Sequence, residues 1–237
     1  MFDTFDKFVH ECSSQLRNHL NITYLHDKDE VKGFIDFSQE NPDRSYCISV
    51  SIGIGNEIEI EKELKKIHPN CRFHGADPAE EVGNKFAEIG LHSLIAVGAR
   101  SGQVSASILD STTNNYVIKK VPMVTLLEYL TMLYLADHVI DFLMLDAEGA
   151  EFDLMPYLSR GGPLDKAGVI ICQINLEIHA NFRIYGMTHQ HFNLLLSQFI
   201  RNSDYLPLFT TARGHKSYYL INYKNQQCIE RYFQHLC

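Results

Sequence analysis

Hydrophobic residues along this chain fall either at helical spacing or in short continuous runs, and the switches between the two mark its elements. Phe5, Phe8, Val9, Cys12 and Leu16 follow the three-to-four-residue period of an amphipathic helix, with Asp3 placed to cap it. A polar stretch ending in Asn41-Pro42-Asp43 separates that helix from Tyr46-Cys47-Ile48-Ser49-Val50-Ser51-Ile52, which predicts a buried strand stopping at Gly53-Ile54-Gly55. Ile60, Leu64 and Ile67 then predict a helix closed by His68-Pro69-Asn70. The alternation continues through a strand over 72–76, a helix over 80–89, a strand over 93–97 and a Ser101-Gly102 turn into a strand over 104–109. A helix over 126–136 leads into apolar strands over 140–145 and 169–174, and Phe192, Leu195, Leu196 and Phe199 mark a helix over 189–201 capped by Thr188. Strand-like runs over 205–210 and 217–223, joined by Ala212-Arg213-Gly214-His215, end the pattern as an antiparallel pair. Such alternation predicts an α/β domain built of βαβ units around a mainly parallel sheet. Residues 1–44 read as a helical extension packed on a single globular unit, 45–237.

Composition narrows the function. The net charge is −8, from 29 acidic against 21 basic residues, and no stretch gathers Lys and Arg into the stripe that nucleic acid requires. Asp3 and Asp6 stand where a secretory signal would be basic, and the most apolar segment, 121–136, is broken by Glu128 and followed by Asp137-His138. The expectation is a cytoplasmic chain with no membrane span and no nucleic-acid partner. Its six cysteines, spread without a C-x-x-C pair, are expected to be reduced and mostly structural. No metal site is expected from the histidines, since only His189 and His191 lie close together and at a non-helical spacing. Asp146, Glu148 and Glu177 could in principle take Mg²⁺ through oxygen.

Ligands of an open parallel sheet bind beyond the carboxyl ends of its strands, and four such ends carry chemistry. Gly53 and Gly55 allow close backbone approach and a sharp turn into a helix whose start is crowded by Glu57, Glu59 and Glu61. Those carboxylates would repel a dinucleotide pyrophosphate and suit a cofactor that carries a cation and no phosphate. Asp77, in Gly75-Ala76-Asp77-Pro78, stands where an acidic side chain can accept from ribose hydroxyls, and Ala96-Val97-Gly98-Ala99 offers a small apolar wall. Asp146-Ala147-Glu148-Gly149-Ala150-Glu151 follows a wholly apolar strand, where carboxylates must face a cleft or find partners. In Asn175-Leu176-Glu177-Ile178-His179, alternation puts Glu177 and His179 on one side, so that the carboxylate could hold the imidazole as a proton acceptor.

The order and spacing of these segments, over roughly residues 45–225, resemble the FkbM-type methyltransferase domain, the D-x-E-G-x-E block being the most telling part. The resemblance implies a Rossmann-like class I methyltransferase fold, with a mainly parallel seven-stranded sheet, a C-terminal antiparallel hairpin and helices on both faces. It also implies S-adenosylmethionine as methyl donor and O-methyl transfer to a small-molecule or glycan hydroxyl. Gly53, Gly55, Asn56, Asp77, Pro78, Ala96, Val97 and Asp146 are then expected at the cofactor, with His179, Asp146 and Glu148 catalytic. Ser51 stands where such domains usually carry an acidic residue, and Thr125-Leu126-Leu127 stands where they often have Thr-Leu-Asp. These departures set a second expectation, a catalytically inactive relative that binds a ligand or partner.

Overall fold

The computed structural model describes residues 2–28, 30–37, 46–55, 57–110, 115–179, 186–213 and 215–233. The chain opens with α1 (Phe2–His19), β1 (Ile22–His26) and β2 (Val31–Ile35), then alternates through β3 (Cys47–Ile52), α2 (Glu59–Ile67), β4 (Cys71–Ala76), α3 (Glu80–Phe86) and β5 (Leu91–Ser93). Next come β6 (Ala96–Gly98), β7 (Gly102–Asp110), β8 (Asn115–Thr125), α4 (Leu126–Met132), β9 (Val139–Leu145), α5 (Glu151–Tyr157) and α6 (Pro163–Lys166). The remainder is β10 (Ile170–Ile178), α7 (His189–Asn202), β11 (Tyr205–Arg213), β12 (His215–Asn222), α8 (Gln226–Cys228) and a π-helical turn, Ile229–Phe233.

The main sheet has seven strands in the order β11-β12-β10-β9-β3-β4-β5. From β10 to β5 every neighbouring pair is parallel, while β12 runs antiparallel to both β10 and β11. Chain order steps outward from β3 to β5 on one side and from β9 to β10 on the other, so strand order reverses between β3 and β9. The period of two shows in burial: Ile48, Val50 and Ile52 of β3 face one core with Leu143 and Leu145, and Phe142 and Met144 of β9 face the other. α4, capped by a reciprocal Thr125–Glu128 box, packs into the first core through Leu126, Tyr129 and Leu130, whereas α2 packs into the second through Ile60 and Leu64.

Three differences from the sequence expectations have physical causes. The strand expected over 93–97 is split at Leu94-Ile95: β5 ends the main sheet and β6 joins a separate three-stranded sheet with β7 and β8. The polar-looking stretch after α1 holds the β1–β2 hairpin, whose second strand is received by side chains rather than by a backbone ladder. Gln173 exchanges two hydrogen bonds with the Ile35 backbone (2.9 and 3.0 Å), and Asn175 exchanges two with Gly33 (both 3.0 Å). Two amides spaced i, i+2 on one face of β10 thus copy a strand edge, and Gly33 lies so flat on the Tyr219 ring that a Cβ would fall 2.8 Å from it. The third difference concerns the cysteines.

Cys47 and Cys71 are register partners at the starts of β3 and β4 and form a disulfide, and a second joins Cys172 of β10 to Cys228 of α8. The expectation of reduced thiols is corrected, because strand adjacency brings together Cys47 and Cys71, 24 residues apart, and the packing of α8 against β10 brings together Cys172 and Cys228, 56 apart. Cys12 is a free, exposed cysteine. Asp3 falls inside α1, so it does not precede the helix as a cap would. Thr188 does cap α7, its hydroxyl accepting from the His191 N–H at 3.1 Å. No helix of the described residues is long and apolar enough to cross a membrane.

Candidate active site

The reversal of strand order between β3 and β9 is closed by Gly53. Its N–H donates to the Ala76 carbonyl at 2.9 Å, the neighbouring Ile52 carbonyl accepts from the Asp146 N–H at 2.8 Å, and its φ is +72°. A Cβ there would sit 1.5 Å from the Asp146 carbonyl oxygen, so no other residue fits without parting the strands. Gly55 also has a positive φ, +65°, but faces open space, and Asn56 lies outside the described residues. Asp77 holds the turn from the neighbouring strand end. Its Oδ2 accepts from the N–H groups of Ile54 (3.0 Å) and Gly55 (3.1 Å), and its Oδ1 accepts from Ala79 (2.7 Å). The carboxylate expected at the ribose therefore also shapes the glycine turn and keeps lone-pair capacity on Oδ1.

Ser51, at the position where a carboxylate is usual, donates its hydroxyl to Glu61 Oε1 at 3.1 Å. Glu61 points inward from α2, 3% exposed, and burial raises its pKa against the opposing pull of Lys32. A carboxyl group from the helix that follows thus stands against the strand position that lacks one. Val97 is buried, and the following Gly98 packs against Met123 and Ala150, beside the D-x-E-G block.

The ends of β9 and β10 carry a dense set of ionisable groups. Glu151, 0% exposed, accepts from the Gly149 N–H (2.6 Å) and the His179 N–H (3.0 Å) and lies 2.8 Å from His179 Nδ1. His179 Nε2 stands 3.3 Å from Glu148 and 3.5 Å from Asp146. Burial by itself would lower the imidazole's pKa, but the hydrogen bond and charge of Glu151, with the charges of Asp146 and Glu148, push it up to about 9. These interactions favour the imidazolium, which cannot accept a proton, and so weigh against a base role for the ring; the carboxylate that holds it is Glu151, not Glu177. Glu148 reaches the ring from a left-handed backbone (φ +47°), a strained conformation for a residue with a side chain.

Glu177 turns the other way. It is 7% exposed, its Oε1 lies 3.9 Å from His215, and its Oε2 meets no donor from nitrogen or hydroxyl groups among the described residues, its one hydrogen-bonding neighbour being the Glu30 carboxyl. Carboxylate oxygens of Glu30, Asp146 and Glu177 all lie within 4.8 Å of one another. Burial, aided by Glu30 and Asp146, pushes Glu177 up to about 10, and burial likewise pushes Asp146 up to about 7. Lys32, on the docked hairpin, pairs with Glu30 at 2.6 Å. Burial opposes its charge, but Glu30, Glu61 and Asp146 together hold the ammonium well above its ordinary range.

A sequence-family model of the methyltransferase FkbM domain matches residues 9–207. The chain belongs to that family. No curated protein matches the chain at a significant level. Within this FkbM domain, the structure brings Asp146, Glu148 and His179 together, and it places Gly53, Gly55 and Asp77 on one turn at the strand-order reversal. Glu30, Lys32, Glu61 and Glu151 were assigned no role in the expected site. Glu61 and Glu151 had local signals, in the helix-start glutamates and the D-x-E-G-x-E block, while Glu30 and Lys32 enter through a hairpin whose docking depends on the amides of β10.

Proposed function

We propose that the protein is an S-adenosylmethionine-dependent methyltransferase acting on a hydroxyl of a small molecule or glycan. The observation that carries this reading is the convergence, at one reversal of strand order in an FkbM domain, of a backbone-shaped glycine turn and a cluster of carboxylates. Gly53, Gly55, Asp77, Pro78, Ala96 and Val97 would hold the cofactor, with Glu61 restoring the carboxylate absent at Ser51. Asp146 would lie between cofactor and acceptor. Methyl transfer is an in-line displacement in which the acceptor oxygen attacks the methyl carbon, the carbon–sulfur bond breaks and the acceptor proton leaves. Glu148 is the carboxylate placed to receive that proton, oriented by the His179–Glu151 pair.

The compartment is part of the same reading. Two disulfides that join strands or anchor the C-terminal turn favour an oxidising environment over the cytoplasm. Titrating S-adenosylmethionine calorimetrically into wild type and Asp77→Ala tests the cofactor assignment. Saturable micromolar binding that weakens at least tenfold in the variant is expected. Absence of binding at millimolar cofactor would instead favour a non-catalytic member of the family.

A further inference from the structure

We propose that Glu30, Asp146 and Glu177 form a binding site for one divalent cation of the Mg²⁺, Mn²⁺ or Ca²⁺ class, tying the N-terminal hairpin to the ends of β9 and β10. An acidic cluster alone would not justify this. The deciding observation is Glu177, which is 7% exposed, has an Oε2 that meets no donor from nitrogen or hydroxyl groups among the described residues, and faces the carboxyl groups of Glu30 and Asp146, so that without a cation it must share a proton with Glu30. A buried carboxylate oxygen with no donor is costly unless it meets a proton or a cation.

Geometry and charge agree with a cation. Ligands on opposite sides of an ion are separated by twice the bond length, about 4.2 Å for Mg²⁺ and about 4.8 Å for Ca²⁺. The three oxygens already lie within 4.8 Å of one another, inside the span of one coordination shell, so a single ion can reach all three. Three carboxylates, one divalent ion and the Lys32 ammonium beside Glu30 sum to zero charge. The donors are all hard oxygens, which suits these ions over zinc or copper. A second grouping, Glu177 with His179 and His215, shares Glu177 but is less suited. There His179 is already held by Glu151, Glu148 and Asp146, and His215 is 47% exposed.

The function of the ion rests on the methyl-transfer reading, but its binding does not. Three protein ligands leave coordination positions open, and an acceptor hydroxyl bound there would have its pKa lowered. Glu148, outside the ligand set, could then take the proton. Acceptors with vicinal oxygens that can chelate the ion are the favoured class.

The test is calorimetric and paramagnetic-resonance titration of Mn²⁺ into the full chain without cofactor, after treatment with a chelator, for wild type, Glu177→Gln and Glu30→Gln. One site per chain, weakened at least tenfold in both variants and displaced by Mg²⁺ or Ca²⁺, is expected. If Glu177→Gln fails to fold, the more accessible Glu30→Gln decides. No saturable Mn²⁺ binding to wild type, or binding unchanged in a folded variant, would overturn the site. S-adenosylmethionine titrated separately with chelator present distinguishes failure of the metal site from failure of the methyltransferase reading.

Discussion

Two aspartates five residues apart, one in β9 and one just past its end, live in opposite circumstances. Asp141 is 0% exposed and fully served: Arg231 donates at 2.6 Å, Tyr232 at 2.7 Å and the Ile48 N–H at 2.8 Å. Burial pushes its pKa up, and all three donors act against that. Asp146, just past the other end, has carboxylates for neighbours, and its closest cationic contact is His179 at 3.5 Å. Both disulfides belong to the Asp141 end, one beside Ile48 and the other anchoring the turn that carries Arg231 and Tyr232. The starts of the strands are thus built to hold the fold, and their carboxyl ends gather charge that the fold alone does not satisfy. An unsatisfied polar group tolerated next to a satisfied one on the same strand is the mark of a site.

The comparison breaks if the Asp141 end is dispensable. Asp141→Ala strips Arg231 of its counter-charge, leaving it the Tyr46 carbonyl, and takes the acceptor from the Ile48 N–H and the Tyr232 hydroxyl, and a loss of about 4 kcal/mol in urea unfolding is expected. Cofactor affinity of the folded fraction should stay within a factor of two. A loss under 1 kcal/mol would show that the buried ion pair is ornamental. Reducing the Cys172–Cys228 bond, which closes a 56-residue separation, should cost about 3 kcal/mol and lower the melting temperature before any effect on the Asp146 end. Thiol counting by mass spectrometry is the companion check: Cys47, Cys71, Cys172 and Cys228 should resist alkylation until a reductant is added. Ready alkylation of all four in native buffer would contradict the bonded state.

Glu151→Gln attacks the boundary between the two regimes, with an expected cost of about 2 kcal/mol for a buried carboxylate serving three donors. His179 has its folded pKa raised from 6.5 to about 9, so the stability it contributes is complete below pH 6.5 and is lost as pH rises through about 9. Part of the variant's deficit should therefore shrink between pH 6.5 and 9. The His179 resonance, followed by NMR, should titrate at least one unit lower than in wild type. An unchanged midpoint would mean that Asp146 and Glu148, not Glu151, hold the imidazolium.

Much of the Asp141 end and of the sheet was legible in the sequence because continuous apolar runs between turn residues leave few alternatives. β3, β4, β9, β10 and the helices α2, α3 and α4 lie where the periodicity puts them, within a few residues, whereas α5 and α6 between β9 and β10 carried no such expectation. The β1–β2 hairpin was not legible, since its strands are only five residues each and the second is held by Gln173 and Asn175, a pairing visible only once β10 is folded. The disulfides escaped for the same reason. At the site, the D-x-E-G-x-E block announced Asp146 and Glu148, whereas alternation named Glu177 as the partner of His179. Adjacency along a strand is a weaker constraint than the loop that returns Glu151 beneath the ring at 2.8 Å. Glu61 looked like one of three equivalent helix-start glutamates, and only its inward facing on α2 makes it the partner of Ser51.

The smallest effect, opposite in sign, is expected at the other aspartate. Burial raises the Asp146 pKa to about 7 from an unfolded value near 4, so the folded state increasingly disfavours its charge as pH climbs between those values, and the penalty is complete above about 7. Asp146→Asn removes that penalty and little else, since the backbone N–H that binds Ile52 is retained. With chelator present, the variant should match wild type near pH 4 and be more stable by about 1 kcal/mol at pH 8, a modest figure because Asn also forfeits the charge that helps hold His179 protonated. The same variant should bind S-adenosylmethionine and Mn²⁺ more weakly at both pH values. A variant that is less stable at pH 8 would mean that Asp146 is served by its surroundings as Asp141 is, and the distinction between the two ends of β9 would fall.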